Sequence, residues 1–427
     1  MVQLGYFYYI GSPQAMIGVL NKFRDQVITA EEERLPINFY LLIREEDGLD
    51  EFLRHHGFDS VLTLKRVKVF RRREKFNKML FFHIEALKVL EVAFAENEAI
   101  VSRWFGFSPF FYRRISEMKS KWKRIFITEH HGNELEELKR RSKLAYFVEK
   151  FSADRCWKMI DGFIAVSESI AKMQLDRMND ENRRRFFKRY VVIPNGIRPD
   201  SMDICEIARW KKLENDITVN VGFVGAYPSE KFGLEHLILA FLNSNYNLEL
   251  NIAGDAESWL KYFKRLAEMG IFLMSIEQEE PVVLKFSNVR RSRNKPNVRV
   301  MLNGFISRSS ACKFFSKVHV AAAPLGVYSH AMPRMSSLKA IEYAARGVPF
   351  FMVGEDENFI GCKWVLSFRD LGRLRADRVV DFVREAHENL DRVQRELRTW
   401  IEKNVSWRVK LPKYIEFAKK LVEETSS

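Results

Sequence analysis

Short apolar runs, each closed by a turn signal and followed by a helix-period stretch, recur along this 427-residue chain. That alternation constrains the fold more than any other feature, because strands separated by helices pair most simply as a parallel sheet covered by those helices. In the first half the runs are residues 4–10, 37–43, 99–103, 124–128, 162–166 and 190–193. The first enters a turn at Gly11-Ser12-Pro13 and then a helical pattern over 15–23. The unit closes near Pro194-Asn195-Gly196, and the polar stretch 197–215 reads as a connection. A second series follows at 218–224, 247–253, 298–303, 318–323 and 349–353, with helical patterns over 234–243 and 309–316. The expected architecture is α/β, with two doubly wound Rossmann-like domains, residues 1–200 and 201–405, facing across a cleft. Residues 406–427 predict a terminal helix packing back on the first domain, and 269–295 reads as an insertion or long surface loop. With 47% hydrophobic residues, the chain has ample material for two cores.

The segment from Met335 to Pro349 carries the most chemical information. Ser336 and Ser337 before a helix-forming run predict a helix with free amides in its first turn, and Gly347 and Pro349 mark its end. Leu338, Ile341 and Ala345 recur at core-facing spacing, while Lys339 and Glu342 lie side by side at the edge of that stripe. Residues 318–324 suit a buried strand, so the helix follows a strand's carboxyl end, where open α/β sheets bind ligands. Helix-start amides suit a phosphate, and a carboxylate suits a pair of sugar hydroxyls. This is a nucleotide-site pattern, although an ordinary strand–helix unit with a solvated glutamate has the same local sequence.

A net charge of +14 implies an anionic partner without choosing among nucleic acid, a membrane surface and a phosphorylated substrate. The densest run holds Lys65, Arg66, Lys68, Phe70, Arg71, Arg72 and Arg73. It suits an anionic lipid surface, where each cation contributes about 1 kcal/mol; a solvated basic face has the same composition. No run approaches the ~20 apolar residues of a membrane span. Residues 1–10 lack a basic, signal-like start, so the cytoplasm is the expected compartment, with peripheral attachment to the inner membrane face as an option. Cys156, Cys205, Cys312 and Cys362 are widely scattered, which predicts reduced thiols and neither a zinc site nor a disulfide framework. No metal or other cofactor is expected.

Four blocks in order give the chain a family resemblance: Val191-Val-Ile-Pro-Asn-Gly-Ile197, Val221-Gly-Phe-Val-Gly225 with Lys231 and Gly233, Asn303-Gly-Phe-Ile-Ser307, and Ser336 to Pro349. Together they resemble the retaining GT-B glycosyltransferases grouped as glycosyltransferase family 4. The likeness implies that Lys231 contacts the donor diphosphate, that Glu342 binds the nucleotide ribose, and that Gly304, Phe305 and Ile306 border the base. It also implies that Ser336, Ser337, Leu338 and Lys339 lie near the diphosphate. In the first domain it sets Gly11 and Ser12 beside the donor, and His131 of Thr128-Glu-His-His-Gly132 against the transferred sugar. His131 and Lys231 are the implied catalytic pair. Two positions depart from the family pattern: Ala226 stands where an arginine is usual, and Arg334 where a glutamate is usual. Arg334 either replaces the missing phosphate cation or pairs with an acidic sugar.

The resemblance implies transfer of a sugar from a nucleotide-diphosphate donor to a hydroxyl acceptor with retention, the nucleotide sugar being a substrate rather than a cofactor. A lipid-linked acceptor and an anionic membrane are the partners this allows, and nucleic acid is not expected. Two alternatives use the same residues: an epimerase or hydrolase of nucleotide sugars, and a non-catalytic basic protein bound to membrane or nucleic acid.

Overall fold

The run at Leu4–Ile10 (β1) becomes a central strand of a seven-stranded sheet in the computed structural model. Both of its faces are covered, which is why Leu4, Tyr6, Phe7, Tyr8 and Ile10 can all be apolar or aromatic without alternation. The other strands are β2 (Ile37–Glu45), β3 (Val67–Arg73), β4 (Ala99–Arg103), β5 (Ile125–His130), β6 (Gly162–Ala165) and β7 (Tyr190–Val192). Their order is β3-β2-β1-β4-β5-β6-β7, with every neighbouring pair parallel. The order reverses between β1 and β4, the topological switch point of a doubly wound sheet. The structure describes residues 2–11, 16–73, 78–104, 109–132, 134–210, 217–278, 282–287, 297–326 and 333–426.

The second sheet contains β8 (Thr218–Val224), β9 (Asn247–Ala253), β10 (Leu273–Gln278), β11 (Val282–Ser287), β12 (Val298–Leu302), β13 (Val320–Ala322), β15 (Phe350–Val353) and β17 (Val365–Phe368). Arg334–Met335 (β14) pairs apart from it with Glu355–Asp356 (β16). The eight strands run β10-β11-β12-β9-β8-β13-β15-β17, and the switch lies between β8 and β13. Contacts divide the chain into two compact units, Met1–Arg198 with Ser406–Ser427, and Pro199–Val405. In the first unit the Trp407–Ser426 helix places Trp407, Leu411, Tyr414 and Leu421 in the same core as Tyr6, Phe23 and Phe39.

Two expectations, the loop at 269–295 and the unpaired cysteines, need correction, and two further findings fill in the reading. Residues 269–295 do not form only a loop, because β10 and β11 pair antiparallel and extend the sheet at its β12 edge; β10 is an exposed edge in which apolar and polar residues do not alternate, so periodicity does not reveal it. The basic run after Lys65 is an edge strand, β3, paired in parallel with β2. The helix after the two serines spans Leu338–Ala345, with Ser337 as its N-cap, and Gly347 leaves it at φ 72°, a backbone conformation glycine adopts without strain. Cys205 and Cys312 are joined in a disulfide across 107 residues, while Cys156 and Cys362 are free. Local spacing could not show that pairing, which depends on the connection after β7 returning beside the Ala311–Phe315 helix. Among the described residues, no helix is long and apolar enough to cross a membrane.

Candidate functional site

Unit by unit, the candidate residues sit at the carboxyl ends of the two sheets. In the second unit the loops after β8, β9, β12 and β13 are laced by backbone hydrogen bonds. Gly225 N–H donates to Ala253 O at 2.9 Å, Asp255 N–H to Ala226 O at 2.8 Å, Gly254 N–H to Gly304 O at 2.8 Å, and Gly326 N–H to Lys231 O at 3.0 Å. Their close approach needs glycine. A Cβ on Gly326 would stand 2.2 Å from Glu230 O, and one on Gly233, at φ 60°, would stand 2.7 Å from Gly326 N. Lys231 sits in the tight turn Glu230–Phe232, whose ring Phe232 lies 4.4 Å below the Lys339 ammonium. The Lys339 ammonium thus rests on an aromatic face supplied by the residue after Lys231.

The start of the Leu338–Ala345 helix is partly occupied. Ser337 N–H donates to Asp356 Oδ2 at 2.6 Å, and Ser337 Oγ caps Ala340 N–H. Asn358 N–H donates to the other Asp356 oxygen at 2.9 Å, and Asn358 Nδ2 to Ser336 Oγ at 3.1 Å. So the free-amide expectation holds for fewer groups than the sequence suggests: Ser337 is taken. Leu338 N–H, Lys339 N–H and the Lys339 ammonium have no acceptor among the described residues. Burial pushes Lys339 down to about 8, against the pull of Glu342 one turn on. Burial also pushes Asp356 up to about 7 although two backbone amides favour its charged form, so its negative charge is weakened beside those donors.

Arg334 lies in β14, and its guanidinium pairs with Glu355 at 3.0 Å. Gly304 takes φ 69°, and the next residue, Phe305, is 64% exposed and stacks edge-on against Tyr227, itself 53% exposed, at 6.1 Å. Ile306 is half-buried. Tyr343 ties the helix to the sheet by accepting Val224 N–H at 3.0 Å.

In the first unit His131 follows β5, and the residue that organises it is Glu129, fully buried two positions earlier. The Glu129 carboxylate accepts hydrogen bonds from Lys22 Nζ at 3.1 Å, Tyr414 Oη at 2.6 Å, Tyr6 Oη, and His131 Nε2 at 2.8 Å. Burial opposes its ionisation, but the His131 and Lys22 contacts and the hydroxyl donors hold it well below the usual carboxylate range. An acceptor at Nε2 fixes the His131 tautomer: Nε2 carries the proton and Nδ1 presents a lone pair. Burial, with Lys22 and Arg103 adding repulsion, outweighs Glu129 and pushes His131 down to about 3, so its ring is neutral. The adjacent His130 is a packed core histidine between Glu134, at 2.8 Å, and Thr128, at 3.0 Å. Gly11 follows β1 and donates its N–H to Met16 Sδ at 3.3 Å, and Ser12 lies outside the described residues.

Of the basic run, Arg66 pairs with Glu31, Lys68 with Glu96 and Arg71 with Asp50. Arg72 is buried, Lys65 is exposed, Phe70 is half-buried, and Arg73 ends β3.

No family model and no curated protein matches this sequence. Solved structures do match, and they make the two-unit α/β fold that of the GT-B glycosyltransferases. A sucrose-phosphate synthase from Thermosynechococcus elongatus aligns with a TM-score of 0.59 and 13% identity over 99% of both chains. The trehalose-6-phosphate synthase OtsA aligns at 0.56 and 12% over 98% of this chain and 99% of its own. The pneumococcal O-GlcNAc transferase GtfA, in complex with UDP and GlcNAc, aligns at 0.53 and 10% over 99% of each. Identities this low establish the fold alone.

Proposed function

We propose that the chain transfers a sugar from a nucleoside-diphosphate donor to a hydroxyl acceptor with retained anomeric configuration. The observation that carries this reading is the set of unmatched donors at one helix start, the Leu338 and Lys339 amides and the Lys339 ammonium, beside loops whose glycines let their backbones pack closely together. That set fits a diphosphate, whose growing negative charge is the main obstacle to breaking the glycosidic bond of the donor. Lys231, in the turn beside Lys339, adds a second cation. Glu342 serves the ribose hydroxyls, and the exposed Tyr227–Phe305 pair gives a base an aromatic surface. Neutral His131 accepts a hydrogen bond from a hydroxyl of the transferred sugar through Nδ1. The UDP and GlcNAc held by GtfA support this class of donor.

A melting-temperature screen with UDP, GDP, ADP and their sugars tests the donor site, since a ligand at one hundred times its Kd stabilises by about 2.7 kcal/mol. No shift with any of them would refute the reading. Lys231→Ala should lower turnover by about ten- to a hundredfold, the loss of one charge-assisted hydrogen bond. Product analysis with and without acceptor separates transfer from epimerisation or hydrolysis, and NMR of the product's anomeric proton checks retention.

A further inference from the structure

The Lys143–Trp157 helix in the first unit carries apolar side chains on its outward face as well as on its buried one. Leu144, Phe147, Val148 and Phe151 recur at the spacing that brings four side chains onto one stripe over two turns. In a surface helix of a globular protein that stripe faces the core. Here the opposite side faces inward: Glu149, Ser152, Ala153, Cys156 and Trp157 are buried. The stripe is left outside, with Leu144 75%, Phe147 51% and Phe151 79% exposed. The rings of Phe147 and Phe151 lie nearly parallel, 6.4 Å apart.

Charge around the stripe has one dominant sign. Lys143 and Lys150 lie on its flank and Arg155 one turn beyond Phe151; all three are exposed and make no ion pair among the described residues. Of the two acids of this helix, Glu149 is buried against Arg177, and Asp154 accepts Asn179 N–H at 3.1 Å. The basic run on β3 differs in this respect, because Arg66, Lys68 and Arg71 are already paired with carboxylates.

We propose that this face of the Lys143–Trp157 helix docks on an anionic lipid bilayer. Leu144, Phe147, Val148 and Phe151 enter the headgroup boundary, and Lys143, Lys150 and Arg155 reach the lipid phosphates. A second copy of the chain is a poorer occupant, because a self-complementary contact along this helix would set the same cations against each other. The proposal stands independently of the donor-site reading.

The test is flotation of the full chain with vesicles of phosphatidylcholine containing about 30% phosphatidylglycerol, against phosphatidylcholine alone. The expected result is co-flotation with the anionic vesicles, reduced at high salt. Binding should fall about tenfold or more in L144S/F147S/F151S, and likewise in K143Q/K150Q/R155Q. A K261Q/K264Q control, on exposed lysines of the Ala256–Glu268 helix in the second unit, should float like the parent, which separates this surface from general basicity. Circular dichroism melts confirm that each variant is folded. Undiminished flotation of the two helix variants would overturn the proposal. So would a failure of the parent to float, and a solution dimer that L144S/F147S/F151S converts to monomer would then make a second copy the occupant.

Discussion

The Glu129 cluster and the start of the Leu338–Ala345 helix both concentrate charge at the carboxyl end of a sheet, but they differ in what is left over. Around Glu129 every strong donor has an acceptor: Lys22, Tyr6, Tyr414 and His131 all converge on one carboxylate. At the helix start a lysine rests on an aromatic face and two amides point at no acceptor among the described residues. A closed network fixes geometry, so the first cluster sets the orientation and tautomer of His131. An open one leaves donors available, the capacity on which the proposed anion site draws.

Removing the hub of the closed cluster should have the largest effect. Glu129→Ala strands a buried lysine and two tyrosine hydroxyls, and should cost about 3–5 kcal/mol of stability in denaturant unfolding. A cost under about 1 kcal/mol would mean that the network is not closed in the sense drawn here. Next in size is the titration of Asp356. Its folded value, about 7, lies above the ordinary carboxyl value, so between about pH 4 and 7 the folded state holds a proton that the unfolded state has lost. Stability from this group therefore falls as pH rises through that window, by up to about 4 kcal/mol, and levels off above it. Asp356→Asn removes the slope, and the difference between parent and variant unfolding curves at several pH values isolates it from other carboxylates.

Lys339→Met should act on binding rather than folding. We expect nucleoside-diphosphate affinity to drop about ten- to a hundredfold by calorimetry, with stability unchanged or raised because a partly buried ammonium is gone. In the parent, affinity should decline as pH rises through about 8, where Lys339 loses its proton. The smallest expected change is Ser337→Ala, about 1 kcal/mol of stability from loss of the cap on Ala340, which would sharpen the contrast by leaving the unmatched amides in place.

The parallel sheets were legible because their central strands are buried on both faces and so read as unbroken apolar runs, as in β1 and β15. Edge strands were not: β10 is exposed and mixes apolar with polar residues without alternation, and β3 is rich in arginine, so neither carries a burial signal. At the site, the cap serine, Lys339 and Glu342 follow from helix-start chemistry. Asp356 does not, because it reaches Ser337 through β16, a two-residue strand with no periodicity. Glu129 was within reach, since residues two apart at a strand's end share a face and the acid stands two before His131. Lys22 and Tyr414 join that carboxylate from 107 and 285 positions away, and no local pattern encodes such distances.

The return of the last helix sets an order for synthesis. Tyr414 and Trp407 complete the hydrophobic interior begun at Leu4, so a nascent chain that has emitted everything through Val405 owns all of the second unit and an unfinished first one. The later-translated unit is thus able to mature earlier, and the older one waits, its Glu129 short of a partner, until the final segment leaves the ribosome.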